Sequence, residues 1–124
     1  MVQPVMRTLI VDDSPVFRQV LTETLLSRFP SMVIFEAANG SQALEQVDTH
    51  HPDLIFMDIR LPDESGLELT QRIKLRYPAV TVVILTNYDL PEYRDAALRY
   101  KATHFIPKDS FLAMVDVILS WTPK

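Results

Sequence analysis

Short apolar runs alternate with longer stretches whose apolar residues recur every three or four positions, and the alternation repeats five times. Thr8-Leu9-Ile10-Val11, Leu54-Ile55-Phe56-Met57 and Val80 to Leu85 are too short for helices and apolar on both faces. Strands covered on both sides have that composition, as in parallel sheets. Strand 1 is predicted from Arg7 to Val11. Ser14-Pro15 then supplies an N-cap and a proline at the first helical position. Phe17, Val20, Leu21 and Leu25 follow as one buried stripe of helix 1, which Pro30-Ser31 ends. Met32 to Ala37 is predicted as strand 2.

Asn39-Gly40-Ser41 turns the chain into helix 2, with Ala43, Leu44 and Val47 inward, until Pro52 closes it near His50-His51. Strand 3 covers Leu54 to Asp58, and a loop runs from Ile59 to Ser65. Leu67, Leu69, Ile73 and Leu75 mark helix 3, ended by Pro78. Val80 to Thr86 is strand 4, dense in β-branched residues. Pro91 to Tyr100 is predicted as helix 4, His104 to Ile106 as strand 5, and Phe111 to Trp121 as helix 5. Parallel strands joined by helices connect right-handedly. The expectation is an α/β domain, a (βα)5 doubly wound five-stranded parallel sheet with helices on both faces.

Composition narrows the function. A chain of 124 residues, 48% hydrophobic, fills one core. Without cysteine, disulfides and thiolate zinc sites are excluded, which suits a reducing cytosol. Met1-Val2-Gln3-Pro4 lacks the order of a signal peptide, and no apolar run approaches the ~18 residues of a membrane span. A cytoplasmic location is expected. The net charge of −4, without a basic tract, argues against nucleic-acid binding by this chain alone. Only two glycines occur and no G-x-G-x-x-G, which argues against a dinucleotide site.

Five polar residues stand at the ends of these strands: Asp12 and Asp13, Asp58, Thr86 and Lys108. In a parallel sheet all five gather at the carboxyl edge, where open α/β sheets bind ligands. Three close carboxylates repel one another, and a hard cation such as Mg2+, which takes oxygen ligands, relieves that repulsion. A carboxylate is also a nucleophile toward phosphorus. Phosphoryl transfer needs alignment and neutralisation of three equatorial oxygens. Mg2+, the Lys108 ammonium and the Thr86 hydroxyl can each take one, and no histidine is required.

With these residues the chain resembles the receiver domain of two-component response regulators, from Arg7 to about Trp121. The resemblance rests on Val11-Asp12-Asp13-Ser14, Phe56-Met57-Asp58-Ile59-Arg60-Leu61-Pro62, Gly66, Ile84-Leu85-Thr86 and Phe105-Ile106-Pro107-Lys108. The strand-end residues Asp12, Asp58, Thr86 and Lys108 lie 46, 28 and 22 positions apart in that order. The resemblance implies the flavodoxin-like strand order 2-1-3-4-5 and one receiver domain over residues 1–124, with no output domain in this chain. It implies Asp58 as phosphoacceptor, and Mg2+ held by Asp13, Asp58 and the Arg60 backbone carbonyl, with Asp12 acting through water. Thr86 and Lys108 would contact the phosphoryl oxygens. Phe105 would follow Thr86 and reshape the helix 4–strand 5–helix 5 face. The donor would be a phosphohistidine on a sensor histidine kinase or phosphotransfer protein docking mainly on helix 1. The wording around Asp58 and Lys108-Asp109-Ser110 is similar to the subfamily with a C-terminal helix-turn-helix, hence to transcription regulators.

Four positions depart from the family pattern. Lys101 stands where glycine is usual; if that turn needs a positive φ, the cost is about 1 kcal/mol. Pro107 precedes Lys108 and Asp109 follows it, so the Lys108-Asp109 bond is expected trans, the cis form costing ~2.5–4 kcal/mol. Asn87 replaces the small residue usual after that threonine, and is expected to narrow access to the phosphoryl group. Arg60 brings a long cation to the pocket mouth and bears on dephosphorylation.

Blander readings exist for each residue. Asp12-Asp13 suits a helix start, Thr86 a strand end, Lys108 a solvated surface, Phe105 a core, His50-His51 a helix end and His104 a structural place; the joint pattern overturns the first three. In helix 5, Phe111, Leu112, Val115, Ile118 and Leu119 are expected to face the sheet, with Met114, Val117 and Trp121 on an adjoining stripe. So wide an apolar surface suggests a partner. Phe17, Val20, Tyr93, Met114 and Trp121 are the expected partner surface, and a homodimer through helix 4–strand 5–helix 5 is one candidate. The leading function is a phosphorylation-gated switch, active only in its own phosphorylation and dephosphorylation rather than as a turnover enzyme. The alternatives are a phosphate-independent adaptor of the same fold and a phosphatase with an aspartyl-phosphate intermediate. The phosphatase is disfavoured because such sites place Asp-x-Asp, not an adjacent pair, after strand 1.

Overall fold

Every residue of Leu54-Ile55-Phe56-Met57 is buried, and the run forms the third strand, near the middle of the sheet. The computed structural model describes residues 6–120, without the side chains at 115, 116 and 118–120. Its strands β1 (Arg7–Val11), β2 (Val33–Ala37), β3 (Leu54–Met57), β4 (Thr81–Thr86) and β5 (His104–Pro107) pair in parallel in the order β2-β1-β3-β4-β5. The helices are α1 (Pro15–Arg28), α2 (Gly40–His50), α3 (Gly66–Arg76), α4 (Pro91–Arg99) and α5 (Phe111–Ser120), the last entered through a 3-10 turn at Lys108–Ser110. The predicted fold class and strand order are those observed.

Alternation along each strand sorts the core into two layers. Leu9, Val11, Ile55, Met57, Val82 and Ile84 pack with residues of α2, α3 and α4, including Ala43, Leu69, Ile73 and Ala97. Ile10, Leu54, Phe56, Val83, Leu85 and Ile106 pack with Leu21 and Leu25 of α1 and with Phe111 at the start of α5. Burying one large aliphatic or aromatic side chain contributes about 1.5–3 kcal/mol. The central strands β1, β3 and β4, shared by both layers, are therefore the most stabilised part.

Three positions expected to face inward do not. The buried stripe of α1 runs through Phe17, Leu21 and Leu25 at four-residue steps, and Val20, about 100° from Leu21, is 50% exposed. Leu75 lies two residues past the buried Ile73, on the opposite side of α3, and is 77% exposed. In α5, Phe111 takes the core place against the Phe56 ring, 5.7 Å between centroids, and leaves Leu112 63% exposed. Met114, expected on an outer stripe, is half-buried against the second layer. Trp121 and the side chains of Val115, Ile118 and Leu119 lie outside the described residues.

The end of α4 explains Lys101. The Lys101 N–H donates to the Leu98 carbonyl (3.1 Å) and the Ala102 N–H to the Ala97 carbonyl (2.9 Å). This pair of reverse bonds closes a helix through a left-handed residue, and Lys101 has φ 67°. The turn does require a positive φ, and a lysine bears it. The Lys108-Asp109 bond is trans, as expected.

Candidate functional site

The sheet ladder continues one residue past β1 and β3. The Asp12 N–H donates to the Ala37 carbonyl (3.0 Å) and the Asp58 N–H to the Val11 carbonyl (2.9 Å). Both backbones are thereby fixed before their side chains enter the edge. The Asp12 and Asp58 side chains are buried, their residues 2% and 7% exposed, while Asp13 is exposed. One oxygen from each of the three carboxylates lies within 4.8 Å of the others. That all-oxygen set fits a hard divalent cation.

Lys108, the first residue after β5, completes the cluster. Its ammonium lies 2.6 Å from Asp12 Oδ2 and 3.3 Å from Asp58 Oδ2, with the side chain 10% exposed. Burial pushes the Asp58 carboxyl above its ordinary value; Lys108 opposes this and the Asp12 charge adds to it, leaving the net shift upward. Burial works against the Lys108 charge, but the hydrogen bond it donates to Asp12 and the nearby Asp58 charge outweigh it and hold its pKa up. The ammonium stays protonated and counters the acidic pocket. Asp58 Oδ1 also accepts a hydrogen bond from the Ile59 N–H (2.8 Å).

Asp12 does more than add charge. Its Oδ1 accepts from the Ser14 N–H (2.9 Å), and Ser14 in turn caps α1 through its hydroxyl and the Phe17 N–H (3.2 Å). Arg18 Nη1 donates to the Asp12 carbonyl (2.6 Å) and its Nε pairs with Glu36 (2.9 Å).

Thr86 is fully buried at the end of β4, and its Oγ1 accepts from the Tyr88 N–H (3.3 Å). Together with Asn87, Asp89, Pro107, Lys108, Asp109 and Ser110 it lines a cleft of about 360 Å3. Thr86 therefore shares a cavity with Lys108, and its neighbour across the sheet is Pro107.

The loop after Asp58 is held close. A Cβ added at Gly66 would collide with the Asp58 carbonyl oxygen, and the Gly66 N–H donates to the Ile59 carbonyl (2.7 Å). Only glycine permits that approach. Within the loop, Arg60 and Ser65 form an isolated antiparallel bridge. Asp63 accepts from the Gly40 N–H (2.8 Å) and Ser41 N–H (3.0 Å), and these bonds at the start of α2 hold its pKa below the ordinary value. Nothing local in the sequence marks Asp63, because its partners open α2, more than 20 residues earlier in the chain.

The remaining expected residues are dispersed. Phe105 is half-buried against the first core layer with the Arg94 guanidinium 4.7 Å from its ring centre. Tyr93 packs on that layer, and its hydroxyl accepts from Arg60 Nη2 (3.4 Å), so it is engaged within the fold rather than bare. The Arg60 guanidinium also sits 3.7 Å over the Tyr88 ring, a contact the sequence did not suggest. Phe17 is half-buried beside Lys108, whereas Val20 is on the open face of α1. His50, His51 and His104 lie outside the cluster; His50 stacks on Phe35 at 3.9 Å. Among the described residues, no helix is long and apolar enough to cross a membrane.

Comparison with known proteins identifies the family. Residues 8–118 match the family model of the response regulator receiver domain. A protein-glutamate methylesterase/protein-glutamine glutaminase 3 of Hahella chejuensis is 45% identical over 85 residues, covering 68% of this chain and 24% of that protein. The oxygen regulatory protein NreC of Staphylococcus haemolyticus is 36% identical over 106 residues, covering 85% of this chain and 49% of that one. The chain thus spans about a quarter to a half of the length of these curated relatives. The crystal structure of a LuxR-family two-component response regulator from Aurantimonas sp. SI85-9A1 superposes with TM-score 0.83 at 27% identity, covering 94% of this chain and 86% of that one. The chain belongs to the response regulator receiver domain family.

Proposed function

We propose that this chain is a phosphorylation-gated switch whose acceptor is Asp58. The observation that carries the reading is the Lys108 ammonium, 3.3 Å from Asp58 at the carboxyl edge of the sheet, in a pocket with Asp12 and Asp13. An Asp58 oxygen attacks phosphorus, the new O–P bond forms as the donor's P–N bond breaks, and the electron pair leaves with the imidazole of a phosphohistidine. Lys108 exchanges its contact with Asp58 for a phosphoryl oxygen, and the Thr86 hydroxyl donates to another. Asp13, Asp58 and the Arg60 carbonyl would hold Mg2+, with Asp12 acting through water, and the cation supplies charge neutralisation of the phosphoryl group when bound.

The phosphorylated state biases Thr86 and Phe105, and with them the α4–β5–α5 face, toward a different partner. Coupling of this kind is worth about 1–3 kcal/mol, so it shifts an equilibrium between two forms. The donor is a cytoplasmic sensor histidine kinase or phosphotransfer protein received on α1, where Val20 is exposed beside the half-buried Phe17. The output is a partner protein, a second copy, or a helix-turn-helix domain of a transcription regulator. Residues 1–124 act as the receiver unit, with phosphorylation and dephosphorylation of Asp58 as their sole chemistry. Incubation with Mg2+ and acetyl phosphate should add one acid-labile phosphoryl mass, and Asp58→Asn should abolish it. An undiminished gain in that variant, or none in the wild type, rejects the reading.

A further inference from the structure

We infer that Phe17 is a positioning residue for phosphoryl transfer, its ring face holding the Lys108 ammonium in place; this rests on the proposed acceptor role of Asp58. The Lys108 Nζ lies 4.2 Å from the centre of the Phe17 ring. An ammonium has three hydrogens. Two acceptors, Asp12 at 2.6 Å and Asp58 at 3.3 Å, face it from the strand ends. Among the described residues, the Phe17 ring presents a face of partial negative charge to the same ammonium, and within about 6 Å its quadrupole attracts a cation.

The contact is built from the sequence outward. Asp12 Oδ1 fixes the Ser14 N–H, and the Ser14 hydroxyl fixes the Phe17 N–H, so the turn carrying the ring starts from the carboxylate that holds the ammonium. The ring's other surroundings are the second core layer, where Phe56 and Phe111 pack edge to face. With the Lys108 side chain 10% exposed, little water competes for its charge. A desolvated cation–π contact is at the strong end of its range.

The chemistry explains why a ring suits this place. During transfer Lys108 must release Asp58 and meet a phosphoryl oxygen. A further carboxylate in place of the ring would compete for the ammonium and deepen the repulsion among Asp12, Asp13 and Asp58. A bare aliphatic wall would offer it nothing while it moves. The ring face attracts without fixing a direction, so the ammonium slides between oxygens under constant attraction. Asp12 anchors one side and Phe17 the other.

Fluorination tests this, because fluorine drains the ring quadrupole while keeping an apolar ring. The full chain is made with phenylalanine, trifluorophenylalanine or pentafluorophenylalanine at position 17 and phosphorylated with acetyl phosphate at saturating Mg2+. The rate constant should fall in that order, by about 3- to 30-fold overall, with Tm and metal affinity little changed. Phe17→Tyr should stay within about twofold of wild type, and Phe17→Leu, apolar but without a π face, should fall like the pentafluoro chain. Equal rates across the fluorinated series, or a Phe17→Leu rate equal to wild type, overturn the inference. Asp58 phosphorylation in the wild type separates this failure from failure of the acceptor reading: a wild type that takes no phosphoryl group sinks both.

Discussion

Two loops border the pocket of Asp12, Asp13 and Asp58, and they are built in opposite ways. The loop after β3 is tied at every step: Gly66 abuts the Asp58 carbonyl, Ser65 caps α3, Glu64 pairs with Arg72 at 2.6 Å, and Asp63 holds the start of α2. The segment after β4 is thinly attached. Asn87, Tyr88, Asp89 and Leu90 are all exposed, Leu90 gives α4 no side-chain cap, and within α4 the buried residues are the small Ala96 and Ala97. Segments with few buried contacts lie at the low-stability end of a fold. The pocket thus has a tightly tied wall beside Asp58 and a more loosely held wall beside Thr86.

The largest break of this contrast is Gly66→Ala. The new methyl meets backbone rather than a yielding side chain, so stability should fall by about 3 kcal/mol in urea unfolding. Acetyl phosphate labelling should fall with it; a variant as stable as wild type would show the wall is not rigid. Lys101→Gly removes the cost of a left-handed lysine and should stabilise by about 1 kcal/mol. An unchanged or lowered denaturation midpoint would contradict the strain argument.

Leu90→Asp sharpens the contrast from the loose side. A carboxylate at that position caps α4 and meets its N-terminal dipole, for a gain of about 0.5–1 kcal/mol. Amide exchange in α4 should slow while that of α3 stays unchanged; equal slowing in both would make the two walls one unit. The smallest effect belongs to Asp63→Asn. The folded-state pKa of Asp63 is depressed, so its stabilising effect is present above its ordinary value of 3.8 and lost as pH falls through the lower folded value. Thermal melting of the variant should approach that of wild type below that pH and be lower at neutral pH; parallel curves at all pH values would remove Asp63 as a fixed anchor.

The fold was legible because β1, β3 and β4 are covered on both sides and leave long apolar runs. The pocket was legible for a related reason: each strand end is marked by a change from apolar to charged, as at Met57-Asp58 and Val11-Asp12. Fine placement within helices was not. Val20 and Leu112 neighbour the true core residues Leu21 and Phe111, and apolar type alone does not decide which of two adjacent positions faces the sheet. Contacts between segments distant in the chain were invisible for a different reason. Asp63 with Gly40, Arg60 with Tyr88 and Phe17 with Lys108 depend on distances across the folded edge, and no local periodicity encodes them.

Because Ser14 and Arg18 both fasten to Asp12, the opening turn of α1 is anchored from inside the molecule. Val16, Gln19 and Val20 form a separate outer strip on the same helix. Substitutions on that strip leave the aspartate pocket's contacts intact, whereas Ser14, Phe17 and Arg18 must travel with the aspartates in any chimaera.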